Sequence, residues 1–168
     1  VLGGGNDISF PDCSALTEVS ARLMVLNIDA HFDVRKNSSS NSGTPYRQLI
    51  EGGYCDPKLF YELAIQPHAN SQTYHQYVKK VGINVVTIEK LRKETIQNIF
   101  KTILKPKSVD SIFVGFDLDA IRSSDAPGVS ASSPIGLTAE EACEISARLG
   151  RDPRVRVFEI SEMNPQYD

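Results

Sequence analysis

Leu23-Met-Val-Leu-Asn-Ile28 runs straight into Asp29-Ala-His31-Phe-Asp33, and this junction decides the fold. An apolar run of that length is too short for a core helix and suits a strand buried on both faces, as in a parallel sheet. A second junction of the same kind follows, where Ile112-Phe-Val-Gly-Phe116 closes on Asp117-Leu-Asp119. Open α/β sheets bind ligands at the carboxyl ends of their strands, so both acidic clusters fall where a site forms. Alternate residues of extended chain project to one side, which lets Asp29, His31 and Asp33 converge, and likewise Asp117 and Asp119. Carboxylates gathered so closely repel one another unless a cation lies between them. Either cluster alone also reads as a solvated loop start; the two together call for a metal, and for two ions rather than one. Oxygen ligands with a single imidazole suit Mn2+ or a similar hard-to-borderline cation, and the lack of thiolates argues against structural zinc. A pair of such ions can generate hydroxide near neutral pH and polarise an electrophile.

Outward from these junctions, strands alternate with helices. Val1-Leu2 reads as a strand end turning into the glycine loop Gly3-Gly-Gly5, and a short, ragged helix is expected over Ser14 to Ser20. After the strand at 22–28 comes a polar loop from Lys36 to Thr44, rich in Ser, Asn and Gly, of a composition that is mobile or functional. Asp56-Pro57 marks a helix start and Leu63-Ala-Ile65 a short strand. Tyr74, Tyr77, Val78 and Val81 repeat at helical spacing up to a stop at Gly82. Ile83 to Ile88 is a strand by its β-branched content. Ile96, Ile99, Phe100, Ile103 and Leu104 form the stripe of an amphipathic helix. Thr138 and Glu141 make a capping box opening a helix that closes at Gly150, and Arg154 to Ile160 is the last strand. The alternation implies one α/β domain over 1–168 with a mainly parallel sheet covered by helices.

Composition narrows the function classes. The chain has 168 residues, enough for one domain with a sizeable core, and a net charge of −3 with no basic stripe for nucleic acid. It has no apolar stretch of the ~20 residues that span a membrane, nor a secretory signal. Its three cysteines, Cys13, Cys55 and Cys143, are scattered without ligand spacing and read as reduced thiols of a cytoplasmic protein. Cys143 is expected to be semi-buried packing on its helix; His68 and His75 read as surface residues. Gly3-Gly-Gly5 lacks the Lys-Ser/Thr ending of a phosphate loop and reads instead as close backbone approach beside the metals.

Four motifs, in order, resemble those of the ureohydrolases (arginase, agmatinase, formimidoylglutamase): Gly3-Gly-Gly-Asn-Asp7, Asn27-Ile-Asp-Ala-His-Phe-Asp33, Gly115-Phe-Asp-Leu-Asp119 and Glu162-Met-Asn-Pro165. The resemblance runs over the whole chain and implies the three-layer α/β/α arginase-like fold. Full-length members are larger, so the chain is expected to be a fragment lacking N-terminal strands and the C-terminal helix. Carried over by motif, Asp29 and Asp117 bridge two Mn2+ ions, Asp33 completes one site, and His31 with Asp119 completes the other. The family's metal-bridging hydroxide attacks an amidino or guanidino carbon, and Glu162 would hold the cationic nitrogen end of the substrate; a carboxylate pairs well with an amidinium. The assemblies implied are trimers or hexamers.

The pattern departs from the family at Asn6, where a histidine ligand is usual. An amide oxygen binds a transition metal more weakly than imidazole, so one of the two ion sites is expected to be the weaker. Ser42-Gly-Thr-Pro-Tyr46 and Ala126-Pro-Gly-Val-Ser-Ala131 look like formimidoylglutamase, and Arg122-Ser123 stands where arginases and agmatinases place Asp-Pro. The resemblance therefore implies N-formimino-L-glutamate as substrate, hydrolysed to L-glutamate and formamide in histidine degradation. Arg35, Ser42, Thr44 and Arg47 are the candidates to face its carboxylates. The competing readings are an arginase- or agmatinase-type hydrolase of another guanidino substrate, and an arginase-like scaffold without turnover.

Overall fold

The computed structural model describes residues 1–167. Strands β1 (Leu23–Ile28), β2 (Phe60–Ile65), β3 (Asn84–Thr87), β4 (Ser111–Asp117) and β5 (Val155–Ser161) form one parallel sheet in the order β3-β2-β1-β4-β5. The order reverses between β1 and β4, whose residues are buried from end to end. That is the topological switch point, where an open α/β sheet leaves a crevice beyond its carboxyl ends. Both acidic clusters emerge there, side by side, because Ile28 of β1 is in register with Phe116 of β4.

Helices cover both faces. Helices α1 (Ser9–Thr17), α2 (Pro45–Glu51) and α3 (Gln72–Val81) share one apolar core with Leu23, Val25 and Phe113. Helices α4 (Ile88–Glu94), α5 (Ile96–Ile103) and α6 (Ala139–Gly150) share the other with Met24, Leu26, Ile28, Ile112, Val114 and Phe116. Successive residues of β1 thus serve alternate layers, the two-residue period of a strand covered on both sides. The architecture is the expected three-layer α/β/α.

Helix ends follow local chemistry. Ser71 accepts a hydrogen bond from the Tyr74 amide at the start of α3, and Gly82 ends that helix in the left-handed region at φ 88°. Thr138 and Glu141 cap one another across the first turn of α6. Along α5, Ile96, Ile99, Phe100 and Ile103 are buried, the stripe expected from their spacing. Residues 1–3 run beside β5, with the Gly3 amide donating to the Ile160 carbonyl at 3.0 Å.

Some expectations are corrected. The first helix begins at Ser9, not Ser14, because Pro11 falls in its first turn, where no intrahelical amide is required of it. Asp56-Pro57 opens a single 3-10 turn, with Asp56 capping the Lys58 amide, before the chain extends at Phe60 into β2. Two helices escape the pattern reading. In α2, Pro45 at the first position follows Thr44, and the signal lay at the edge of the polar loop. In α4, Ile88 reads as the end of a strand, yet Thr87 caps a helix that buries Ile88 and Leu91. Cys143 is exposed on α6, while Cys13 and Cys55 are the buried thiols. Among the described residues, no helix is long and apolar enough to cross a membrane.

Candidate metal centre

The convergence of the acidic side chains comes from two copies of one local device rather than from extended chain. Asp29 Oδ1 accepts the His31 amide at 2.7 Å, and Asp117 Oδ1 accepts the Asp119 amide at 2.9 Å. Each aspartate thereby closes an Asx turn that bends the chain over the end of its strand and brings the residue two places on back toward it. His31 Nδ1 then lies 3.0 Å from Asp119 Oδ2 and 3.4 Å from Asp29 Oδ1. Two ligand sets result, Asp29 with His31 and Asp119, and Asp29 with Asp33 and Asp117; within each, the donor atoms lie within 4.8 Å of one another. Asp29 is common to both.

Asn6 and Glu162 come in from the β5 side. Asn6 follows Gly5, where a Cβ would stand 2.8 Å from Asp7 Oδ1 and 3.3 Å from Glu162 Oε1, so a side chain there would push against both carboxylates. The Asn6 side chain is buried and its Nδ2 donates to Asp33 Oδ2 at 2.7 Å and to Asp29 Oδ2 at 3.4 Å. Glu162 accepts the Asn6 amide on one carboxylate oxygen and the Ser130 hydroxyl on the other, both at 2.9 Å. Glu162 and Asp33 take the left-handed backbone at φ 63° and 46°, an arrangement worth about 1–2 kcal/mol of strain each for a residue with a Cβ. Strain of this kind persists where the surroundings over-determine it, and here both residues aim a carboxylate into one cavity.

The electrostatics show what the cluster needs. Burial pushes the carboxyls of Asp29 and Asp117 well above the usual range, and the other aspartates add to it. Asp33 is pushed up to about 7, again by desolvation first, against the opposing hydrogen bond from Asn6. The hydrogen bond that His31 donates to the Asp119 carboxylate raises the imidazole pKa to about 9. Without a cation the cluster holds protons instead, because like charges this close cannot all be ionised. Among the described residues, Asp119 Oδ1 is buried with no hydrogen-bond partner. An unpartnered carboxylate oxygen among others, with one imidazole, is a donor set that fits Mn2+.

Above the cluster lies a cavity of about 180 Å³. His31, Asp33, Asp117, Asp119 and Glu162 line it, and so do Arg35 and Ser42. Thr44 and Arg47 do not. The Thr44 hydroxyl is buried and turned inward onto the Asn41 carbonyl at 2.8 Å. Arg47 lies 4.1 Å over the Tyr77 ring and pairs with Glu51 at 2.8 Å, one helical turn along α2. Both sit in the α2 layer because helix formation at Pro45 carries the chain away from the site. Ser130 and Ala131, from the Ala126–Ala131 motif, also line the cavity, and Asn70 and Tyr74 do so without a sequence motif to announce them. Asn70 could be found only from its contacts, since its side chain accepts the Phe32 amide at 2.9 Å and donates to the Ala30 carbonyl, pinning the metal loop. His75 packs edge-on against Phe32, and His68 is exposed, away from the cluster.

A model of the arginase family matches residues 1–168. The formimidoylglutamase of Bacillus subtilis is 33% identical over 172 residues, covering 100% of this chain and 54% of its own length. That of Staphylococcus carnosus is 35% identical over 173 residues, with 55% of its length covered. The crystal structure of the Bacillus subtilis enzyme superposes with a TM-score of 0.95 over 99% of this chain and 53% of that one. A crystal structure of Trypanosoma cruzi formiminoglutamase with Mn2+ superposes at 0.94, with 34% identity, over 100% of this chain and 58% of that one. The chain spans about half the length of the relatives it matches.

Proposed function

This chain belongs to the arginase family, and on that premise we propose that the protein hydrolyses N-formimino-L-glutamate to L-glutamate and formamide with two Mn2+ ions. Asp29 and Asp117 would serve both ions, Asn6 and Asp33 one of them, His31 and Asp119 the other. Bound there, the ions supply Lewis acidity that activates water and polarises the amidine carbon. The carrying observation is the polarity of the cavity: His31, Asp33, Asp117 and Asp119, from the two ligand sets that share Asp29, line it together with Glu162 and Arg35. Glu162 keeps lone pairs free on both oxygens after its bonds to Asn6 and Ser130, and presents them to an amidinium. Arg35 and Ser42 offer a cation and a hydroxyl to the carboxylates at the substrate's other end. Agmatine has no carboxylate for Arg35, which makes it the poorer match.

The test is metal content and turnover of the full-length protein. Elemental analysis after equilibration with excess Mn2+ and desalting is expected to find more than one ion per chain at low loss. Formiminoglutamate is expected to be hydrolysed, and arginine and agmatine to be poor substrates. Bound Mn2+ with turnover of arginine or agmatine alone would overturn the substrate; absence of bound Mn2+ would overturn the hydrolase.

A further inference from the structure

Close to the aspartates, three buried polar side chains meet at the hydroxyl of a fourth, Ser9. Ser9, on the first turn of α1, is fully buried, and its Oγ lies 2.6 Å from Asn6 Oδ1, 2.5 Å from Glu159 Oε1 and 3.2 Å from the Tyr46 hydroxyl, which donates to it. Ser161 Oγ also lies 3.4 Å from Asn6 Oδ1. A serine hydroxyl has one proton to give and two lone pairs to receive with. With the Asn6 oxygen turned toward it, that single proton faces two acceptors, the amide oxygen and Glu159 Oε1. At the other end of the same amide, Nδ2 points at Asp33 and Asp29. This is the orientation that suits a cluster without a cation, since the amide N–H groups pair the carboxylates.

Half a turn of the amide reverses both ends. Nδ2 then donates to Ser9, Ser9 donates to Glu159, and Tyr46 donates to Ser9, so the hydroxyl gives once and receives twice. The amide oxygen then faces Asp33 and Asp29, an arrangement that repels unless a cation is present. On the two-ion reading above, we propose that Ser9 and Glu159 act as a positioning pair that turns the Asn6 amide into a metal ligand for the ion held by Asp33. Gly115 leaves the space for this network, because any side chain there would collide with the Tyr46 hydroxyl.

The experiment is a calorimetric titration of the metal-free full-length protein with Mn2+, resolving the tighter and the weaker ion. Ser9→Ala removes the hydroxyl. Glu159→Leu removes the acceptor that holds the Ser9 proton, which frees that proton for the amide oxygen and favours the non-ligating orientation. Each change is expected to weaken the second ion by about ten- to a hundredfold, as loss of an orienting partner does, and to leave the ion at His31 and Asp119 unchanged. In an Asn6→Ala background neither change should alter Mn2+ affinity further, because the pair acts through Asn6. The melting temperature of each metal-free variant reports folding, and Glu159→Leu carries the test if Ser9→Ala does not fold. Unchanged affinity for the second ion in the variants, or a loss that persists in the Asn6→Ala background, would overturn the inference while leaving the hydrolase reading intact. A wild-type protein that binds no Mn2+ would overturn both.

Discussion

On one face of the sheet, Met24, Leu26 and Ile28 of β1 and Ile112, Val114 and Phe116 of β4 pack with α4, α5 and α6 into a continuous apolar cluster. On the other face, one row of the register reads Glu62, Asn27, Gly115, Glu159 across β2, β1, β4 and β5, and its three side chains are fully buried. The same strands therefore build a dry layer on one side and a line of buried acids and amides on the other. The line lies one or two residues short of the site, and each glutamate backs an amide that touches the aspartates. Glu62 accepts from Asn27 Nδ2 at 2.8 Å, and that nitrogen reaches Asp29 Oδ2 at 3.4 Å. Glu159 reaches Asn6 through Ser9, and Asn6 reaches Asp33. Buried carboxyls weaken a fold unless something compensates. One face thus supplies stability, and the other spends part of it on orienting ligands.

The largest effect that tests this division is on the apolar face. Leu26→Ala removes a fully buried side chain and is expected to lower stability by about 2–5 kcal/mol, read from the denaturant midpoint, with Mn2+ stoichiometry unchanged in the folded protein. A loss of bound Mn2+ at full stability would break the division, since it would give the apolar face a role in ligation.

A smaller effect of opposite sign is expected on the polar face. Burial pushes the Glu159 carboxyl from 4.5 up to about 8; the Asp12 carboxylate adds to the rise and the Ser9 hydrogen bond opposes it. The folded state then keeps a proton that the unfolded chain releases, so this group's favourable contribution is fully present below pH 4.5 and is lost as the pH rises to about 8. Glu159→Gln removes that titration. The metal-free variant is expected to be more stable than the wild type at pH 8 and to lose less stability between pH 5 and pH 8, measured as denaturant midpoint against pH. A wild-type profile as flat as the variant's would place the carboxyl in contact with water and remove the contrast between the faces.

The two faces were also unequally legible. The apolar layer is written in local pattern: the runs in β1 and β4, the stripe of α5, the cap of Thr138 and the stop at Gly82. So were Asp29, His31, Asp33, Asp117 and Asp119, because they close those runs. Glu62 and Glu159 were not, since a glutamate inside a strand reads as a solvent-facing residue until the covering helix is known. Their burial depends on α1 and α2, which were the poorly read helices. Ser9 was invisible for the same reason, and Tyr46, though it closes the Ser42–Tyr46 motif, gave no sign that its hydroxyl is brought down onto the row. Asn70 reaches the cavity through a loop whose course is set by long-range contacts and not by spacing.

The smallest effect separates the two arginines of the site-bearing face. Arg47 spends its guanidinium on the Tyr77 ring and on Glu51 within the helical layer, so Arg47→Ala should leave the KM for formiminoglutamate unchanged and lower stability by about 0.5–1 kcal/mol. Arg35 is exposed and lines the cavity, and among the described residues its guanidinium makes only a long contact to Asn41 at 3.5 Å. Its guanidinium lies against Gly43, where a Cβ would come within 3.0 Å of Arg35 Cζ, so the glycine lets it lie flat along the cavity wall. A charge-assisted bond from Arg35 to a substrate carboxylate is expected to make Arg35→Ala raise KM about tenfold or more, with folding unaffected. Steady-state kinetics of the two variants decide the matter. An equal rise in both would mean that α2 moves over the cavity when substrate binds, and that the helical layer on this face is part of the site and not only its support.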